Sequence, residues 1–148
     1  MQDKFLTRWH KMLNLQRYPL PFHRARLAEE LAEVDAATGV INRLSETSDV
    51  LFTISRSSFE GHPVAAVPPL TARNAPAYTY MLVKFTSRWG FYLAAAYLAD
   101  RQRYSAVREV VNPRKDEKLV AVAERHGLEP VGFSRVAVGL RRVWPLLP

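Results

Sequence analysis

A proline-rich stretch between residues 61 and 76 is the feature that most limits how this chain can fold. It holds four prolines together with Gly61 and Asn74. Proline fixes its own φ angle and lacks a backbone N–H, so it is excluded from the interior of a helix or a central strand. The stretch therefore predicts loops around short extended pieces.

Two helices are predicted ahead of this stretch. Residues 4–15 carry apolar side chains at helical spacing, namely Phe5, Leu6, Trp9, Met12 and Leu13. Pro19 and Pro21 end that helix. A longer helix is expected from Phe22 to about Leu44, with an apolar stripe formed by Leu27, Leu31, Val34 and Ile41.

Three extended segments are predicted next. Residues 50–55 are rich in β-branched and aromatic side chains and follow a polar turn, which is typical of a strand. Residues 62–67 form a second extended piece, with a proline at its start. Residues 78–85 predict a third strand, although their pattern also permits continuation into the following helix.

Strand and helix patterns alternate in the last third of the chain. A buried helix is predicted over 91–104 and a strand over 106–111. Asn112 and Pro113 cap a further helix that ends at His126 and Gly127. From Glu129 the chain favours a hairpin or bent strand over a helix.

This order of elements predicts an α/β (α+β) fold in one domain spanning residues 1–148. A mixed β-sheet with flanking helices occupies residues 48–148 and follows a helical N-terminal part over 1–46. The length of 148 residues is that of one compact domain.

The net charge of +7 indicates an anionic partner, either nucleic acid or the phosphates of a cofactor. Residues 1–26 and 101–148 each carry +5, whereas residues 27–73 carry −4. The alternative interpretation is that the acidic stretch lies against the basic ends or forms a solvated face.

Several classes of site and location are excluded or disfavoured. The chain has no cysteine, and its four histidines form no metal-binding pair, so no metal site is expected. No secretory signal is visible, and the longest uncharged apolar run, residues 89–99, is too short to cross a membrane. A cytoplasmic protein without a membrane span is the expectation.

The second half of the chain resembles the GNAT acyltransferase superfamily. The residues that carry the resemblance are the segment 78–85, then Ser87, Arg88, Trp89 and Gly90 before a helix, then Asn112 after a strand, and finally the run 127–133. In element order the resemblance covers roughly residues 48–144.

The resemblance implies transfer of an acyl group from acetyl-CoA or another acyl-CoA to an amine. It places the cofactor pyrophosphate at Ser87, Arg88, Trp89 and Gly90, where a loop would meet a helix N-terminus, with Asn112 as a further contact. Catalytic residues stay unknown, because Ala123 stands where the family often has a tyrosine acid and no acidic residue lies between Gly61 and Asp100.

Two other functions compete with the acyltransferase. One is a basic nucleic-acid-binding module, because residues 123–136 resemble a helix-turn-helix that would place Ser134, Arg135, Arg141 and Arg142 near DNA. Pro130, Gly132 and Gly139 count against its second helix. The other is a non-catalytic structural or interaction protein of a larger assembly. A wholly helical protein would overturn the sheet and favour the helix-turn-helix.

Overall fold

All regular structure in residues 2–144, the part of the chain that the structure describes, is helical. The structure is a computed structural model. Its α-helices are α1 (Gln2–Leu13), α2 (Leu20–Ala36), α3 (Val40–Phe59), α4 (Ala75–Ala99), α5 (Asp116–Arg125) and α6 (Pro130–Val143), with a 3-10 turn at Tyr104–Ala106. The mixed β-sheet is therefore wrong, because the described residues contain no strand.

The chain divides into two compact units, one ending at Leu82 and the other beginning at Val83. The single domain expected from the length stays a prediction. In the first unit α3 packs against both α1 and α2. On the α1 side the Trp9 ring meets the edge of Phe52 at 5.9 Å between centroids, and Leu6 and Leu13 are buried.

Buried polar contacts join the helices of the first unit. Glu60, directly after α3, accepts hydrogen bonds from the Tyr18 backbone N–H (2.8 Å), His23 Nε2 (2.8 Å) and Arg56 Nε (2.7 Å). Burial opposes ionisation of this carboxyl, but the three donors together lower its pKa below the usual value. Glu60 therefore holds the start of α2 and the segment before it against the end of α3.

The core of the second unit is apolar and comes from every helix of that unit. Its fully buried side chains include Phe91 and Tyr92 of α4, Leu119 and Val122 of α5, and Phe133 and Ala137 of α6. Trp144, directly after α6, packs on Phe91 at 5.9 Å. Burial of these apolar side chains is the main source of the stability of the unit.

The strands predicted over 50–55 and 78–85 lie inside α3 and α4. Residues 51–55 are all buried, including the polar Thr53 and Ser55, so their burial does not alternate as it does along a half-buried strand. The helix predicted over 91–104 corresponds to the second half of α4, which ends at Ala99. Pro76 fits because the first turn of a helix needs no backbone donor.

The other predicted strands are also wrong. Residues 62–67 and 107–111 form no regular structure, and the predicted hairpin after Glu129 is α6. The single helix predicted over residues 22–44 is broken before α3, where Gly39 has φ +80°. Gly39 is the residue directly before α3; its positive φ lies outside the helical region, and glycine adopts it without strain.

The helix predicted over 4–15 is confirmed as α1, and the helix ending at Gly127 is confirmed as α5. Asn112 does not cap α5, because α5 begins at Asp116 after Lys115. No helix among the described residues combines the length and apolar character needed to cross a membrane.

Candidate nucleic-acid interface

A short turn joins α5 to α6 and fixes where α6 begins. Gly127 has φ +65°, its N–H bonds the carbonyl of Glu124 (3.2 Å), and the N–H of Leu128 bonds the carbonyl of Ala123 (2.9 Å). This pair of bonds is a Schellman motif, which closes a helix with a glycine in the left-handed conformation. Leu128 is buried, so the turn also contributes to the core.

The side chain of Glu129, the residue before α6, caps the start of that helix. The Glu129 carboxylate accepts hydrogen bonds from the backbone N–H groups of Val131 (2.9 Å) and Gly132. These two bonds lower the pKa of Glu129. Pro130 lies in the first turn of α6, where proline is favoured. The sequence argument against this helix assumed that Pro130 would lie in its interior.

One face of α6 is buried and the opposite face is basic. Phe133 and Ala137 are buried in the core, while Arg135, Gly139 and Arg142 are exposed. Spacings of four and three residues place these three positions on one side of a helix. The sequence Pro130–Val143 contains no acidic residue, and the carboxylate that interacts with Arg135 is that of the capping Glu129 directly before the helix.

Arg141 joins the end of α6 to the start of α5. Its Nη1 donates to the carbonyl of Arg114 (2.9 Å) and to Asp116 Oδ1 (2.9 Å). Exposed Lys115 and Lys118 lie at that end of α5. From Val83 onward the sequence has twelve Lys and Arg against six Asp and Glu, so nearly all of the net charge of +7 belongs to the second unit.

Arg125 and His126 have a structural role instead. Both contact Glu109 Oε1, and the distance from His126 Nε2 is 3.0 Å. Glu109 is 7% exposed, so this contact holds the end of α5 to the segment after the 3-10 turn. A carboxylate this buried requires such partners.

Four of the five residues predicted to bind a cofactor are consecutive residues of one helix. Ser87, Arg88, Trp89 and Gly90 lie inside α4, so the loop expected there is absent and their backbone N–H groups belong to the helix. Trp144 Nε1 donates to Ser87 Oγ at 3.0 Å, and a methyl group at Gly90 would meet the Trp144 ring at 3.5 Å. The Arg88 guanidinium lies over the Phe85 ring.

Asn112 and Ala123 are the other two positions named in the acyltransferase resemblance. Asn112 Oδ1 accepts from the Arg114 N–H at 3.0 Å, which closes a turn before α5. Ala123 is fully buried in α5. Because the sheet is absent, the acyltransferase fold and the function based on it are wrong; acyl-CoA binding at Ser87–Gly90 and Asn112 stays a prediction.

The helix-turn-helix residues named from the sequence separate into two groups. Arg135 and Arg142 are exposed, whereas Arg141 is held by the start of α5 and Ser134 Oγ is buried. The sequence interpretation missed Gly139 as part of the exposed face of α6. It also missed Lys115 and Lys118, whose place near α6 depends on the contact that Arg141 makes with the start of α5. Comparison of the chain with protein-family models, curated proteins and solved structures found no match.

Proposed function

We propose that this protein binds duplex DNA through the exposed face of α6 and the basic start of α5. The observation that supports this proposal is the exposed face of α6, which begins directly after the Schellman turn and holds Arg135, Gly139 and Arg142, with no acidic residue between Pro130 and Val143. The major groove of B-DNA admits an α-helix, and arginine binds phosphates and guanine edges.

The side and the C-terminal end of α6 make the contact in this proposal. Glu129 already takes the N–H groups of Val131 and Gly132, so the N-terminus of α6 is closed to a phosphate. Gly139 presents backbone without a side chain, and no atom lies within 4 Å of where a Cβ would be. The helix can therefore approach a sugar–phosphate strand closely at that point.

Electrostatics supply most of the expected affinity. Each neutralised phosphate contributes a slope of about −0.9 to the plot of log affinity against log salt. Arg135, Arg142, Lys115 and Lys118 would then give a slope of about −3.6, which weakens binding about 150-fold between 50 and 200 mM salt. A weak salt dependence would contradict this mode of binding.

Fluorescence anisotropy with a labelled 20-base-pair duplex tests the proposal. The double variant Arg135→Gln/Arg142→Gln should bind more weakly and reduce the magnitude of the salt slope by about 1.8. The matched control is Arg8→Gln/Arg24→Gln, which removes two exposed arginines from the first unit and should leave the slope unchanged. Equal losses in both double variants would show only a response to net charge and would refute the interface.

A further inference from the structure

A second surface of the second unit carries two exposed aromatic rings. Tyr97, near the end of α4, is 40% exposed, and Tyr104, at the start of the 3-10 turn, is 38% exposed. Their rings meet edge to face, with 5.2 Å between centroids and 90° between planes. Neither ring belongs to the buried core of the unit. The pair therefore forms an aromatic surface that solvent can reach.

An arginine lies against this aromatic pair. The guanidinium carbon of Arg101 is 4.9 Å from the centroid of the Tyr97 ring, which is a cation–π contact. Arg101 is itself exposed. A planar guanidinium, like an aromatic ring, is a surface on which nucleobases stack. We call Tyr97, Arg101 and Tyr104 the tyrosine–arginine patch.

Hydrogen bonds of Asp100 fix the turn that carries the patch. The carbonyl of Asp100 accepts from the N–H of Tyr104 at 3.1 Å, and its Oδ1 accepts from the N–H of Gln102 at 2.9 Å. The N–H of Asp100 donates to the carbonyl of Ala96 at 2.7 Å, which joins the turn to the end of α4. The patch is therefore ordered before a ligand arrives, so less conformational entropy is lost on binding.

The charge around the patch is positive. Residues 97–108 contain three arginines and one acid, Asp100. Asp100 Oδ2 lies 3.8 Å from Arg103 Nε, and this exposed ion pair involves only one of the three arginines. Glu109, the next acid in the chain, is buried and paired with Arg125 and His126. The patch therefore combines aromatic surface with an excess of positive charge.

We propose that the tyrosine–arginine patch binds single-stranded nucleic acid by stacking of unpaired bases. Exposed aromatic rings beside arginines suit a single strand, because every base has a π face and every nucleotide carries a phosphate. A duplex keeps its bases paired and stacked, so it offers no free base to these rings. The site does not rest on the proposed duplex interface, because none of its residues belongs to α5 or α6.

Fluorescence anisotropy of the full chain with labelled strands of twelve nucleotides tests the site. Saturable binding of oligothymidylate or oligouridylate supports it, and the tighter of the two identifies DNA or RNA as the ligand. A strand with abasic sites in place of its bases keeps the phosphates and should bind roughly fivefold more weakly or less. Equal binding of the abasic strand, or no saturable binding of any strand at low salt, would overturn the site.

Variants of the patch separate stacking from charge. Tyr104→Leu should weaken single-strand binding by roughly fivefold or more, whereas Tyr104→Phe keeps the ring and should bind as the wild type does. Arg101→Lys keeps the charge but loses the planar guanidinium. Its affinity should fall, while the slope of log affinity against log salt stays unchanged. The matched control Leu98→Ala removes an exposed apolar side chain next to Tyr97 and should have no effect.

Parallel measurements with the 20-base-pair duplex distinguish the failure of one proposal from the failure of the other. Tyr104→Leu should leave duplex binding unchanged, and Arg135→Gln/Arg142→Gln should leave single-strand binding nearly unchanged. Circular dichroism checks that each variant folds; if Tyr104→Leu does not, the exposed position Arg101 carries the same comparison. Losses in Leu98→Ala equal to those in the patch variants would overturn the site.

Discussion

Replacing Gly127 by alanine tests the turn that places α6. Gly127 has φ +65°, and an L-residue in the left-handed conformation costs about 1–2 kcal/mol. Alanine also restricts the unfolded chain more than glycine does, which raises the free energy of unfolding by about 0.4–1 kcal/mol. The added Cβ meets Arg103 Nη1 at 3.4 Å, the far end of a side chain that can move. We therefore expect Gly127→Ala to lower the free energy of unfolding by about 1 kcal/mol.

The same substitution at Gly139 should act in the opposite direction. Gly139 is exposed inside α6, has no positive φ, and has open space where a Cβ would lie. Alanine there should stabilise the protein by about 0.5–1 kcal/mol through helix propensity. Urea unfolding followed by circular dichroism and tryptophan fluorescence measures both variants. A Gly127→Ala protein as stable as the wild type, or a destabilised Gly139→Ala protein, would refute the described course of residues 127–139.

Two further predictions concern buried polar groups of the first unit. Burial first, and Arg56 second, lower the pKa of His10 from 6.5 to about 4, so the unfolded chain binds the extra proton between these pH values. The free energy of unfolding should therefore fall by about 3 kcal/mol as the pH drops from 7 to 4, as measured by urea unfolding. The fall should be smaller in His10→Gln, in which an amide replaces the ring that contacts Ser55. Glu60→Gln should cost about 3–5 kcal/mol at pH 7, against about 0–1 kcal/mol for the exposed Glu29→Gln; similar losses in both would contradict the role of Glu60.

The helices that could be predicted are those in which several local signals agree. α1 combines a 3.6-residue apolar period with prolines just beyond its end, and α5 combines acids in its first turn with Gly127 after its last. Each signal acts over one helical turn. Such signals need no knowledge of the remaining chain.

α4 could not be identified in the same way because charged residues lie on its buried side. Its buried positions include Tyr78, Met81, Phe85 and also Lys84 and Arg88, which follow helical spacing. Lysine and arginine in a sequence predict exposed positions, so the apolar residues of this segment did not show a helical period. The β-branched and aromatic composition was then the stronger signal and predicted a strand. Tertiary context determined the outcome.

The closeness of Glu30 and Glu33 on α2 to Glu46 on α3 could not be predicted, because it depends on a break in a helix. The chain from residue 22 to 44 has the pattern of one continuous helix, and on one helix Glu46 lies four turns beyond Glu30. Residues 37–39, with Gly39 at φ +80°, separate α2 from α3, and α3 packs against α2.

Pro130, at the start of the helix in the proposed DNA interface, shows that the energetic cost of a proline depends on its position in a helix. Pro130 was counted against a second helix on the assumption that it would lie inside one. One position after Glu129 it begins α6, while the Glu129 carboxylate takes the free N–H groups that would otherwise attract a phosphate. The basic surface must then lie along the helix and at its far end, where Arg141 brings the start of α5 beside it. Its cations therefore come from two helices, and hydrogen bonds to backbone carbonyls, which a sequence does not display, bring them together.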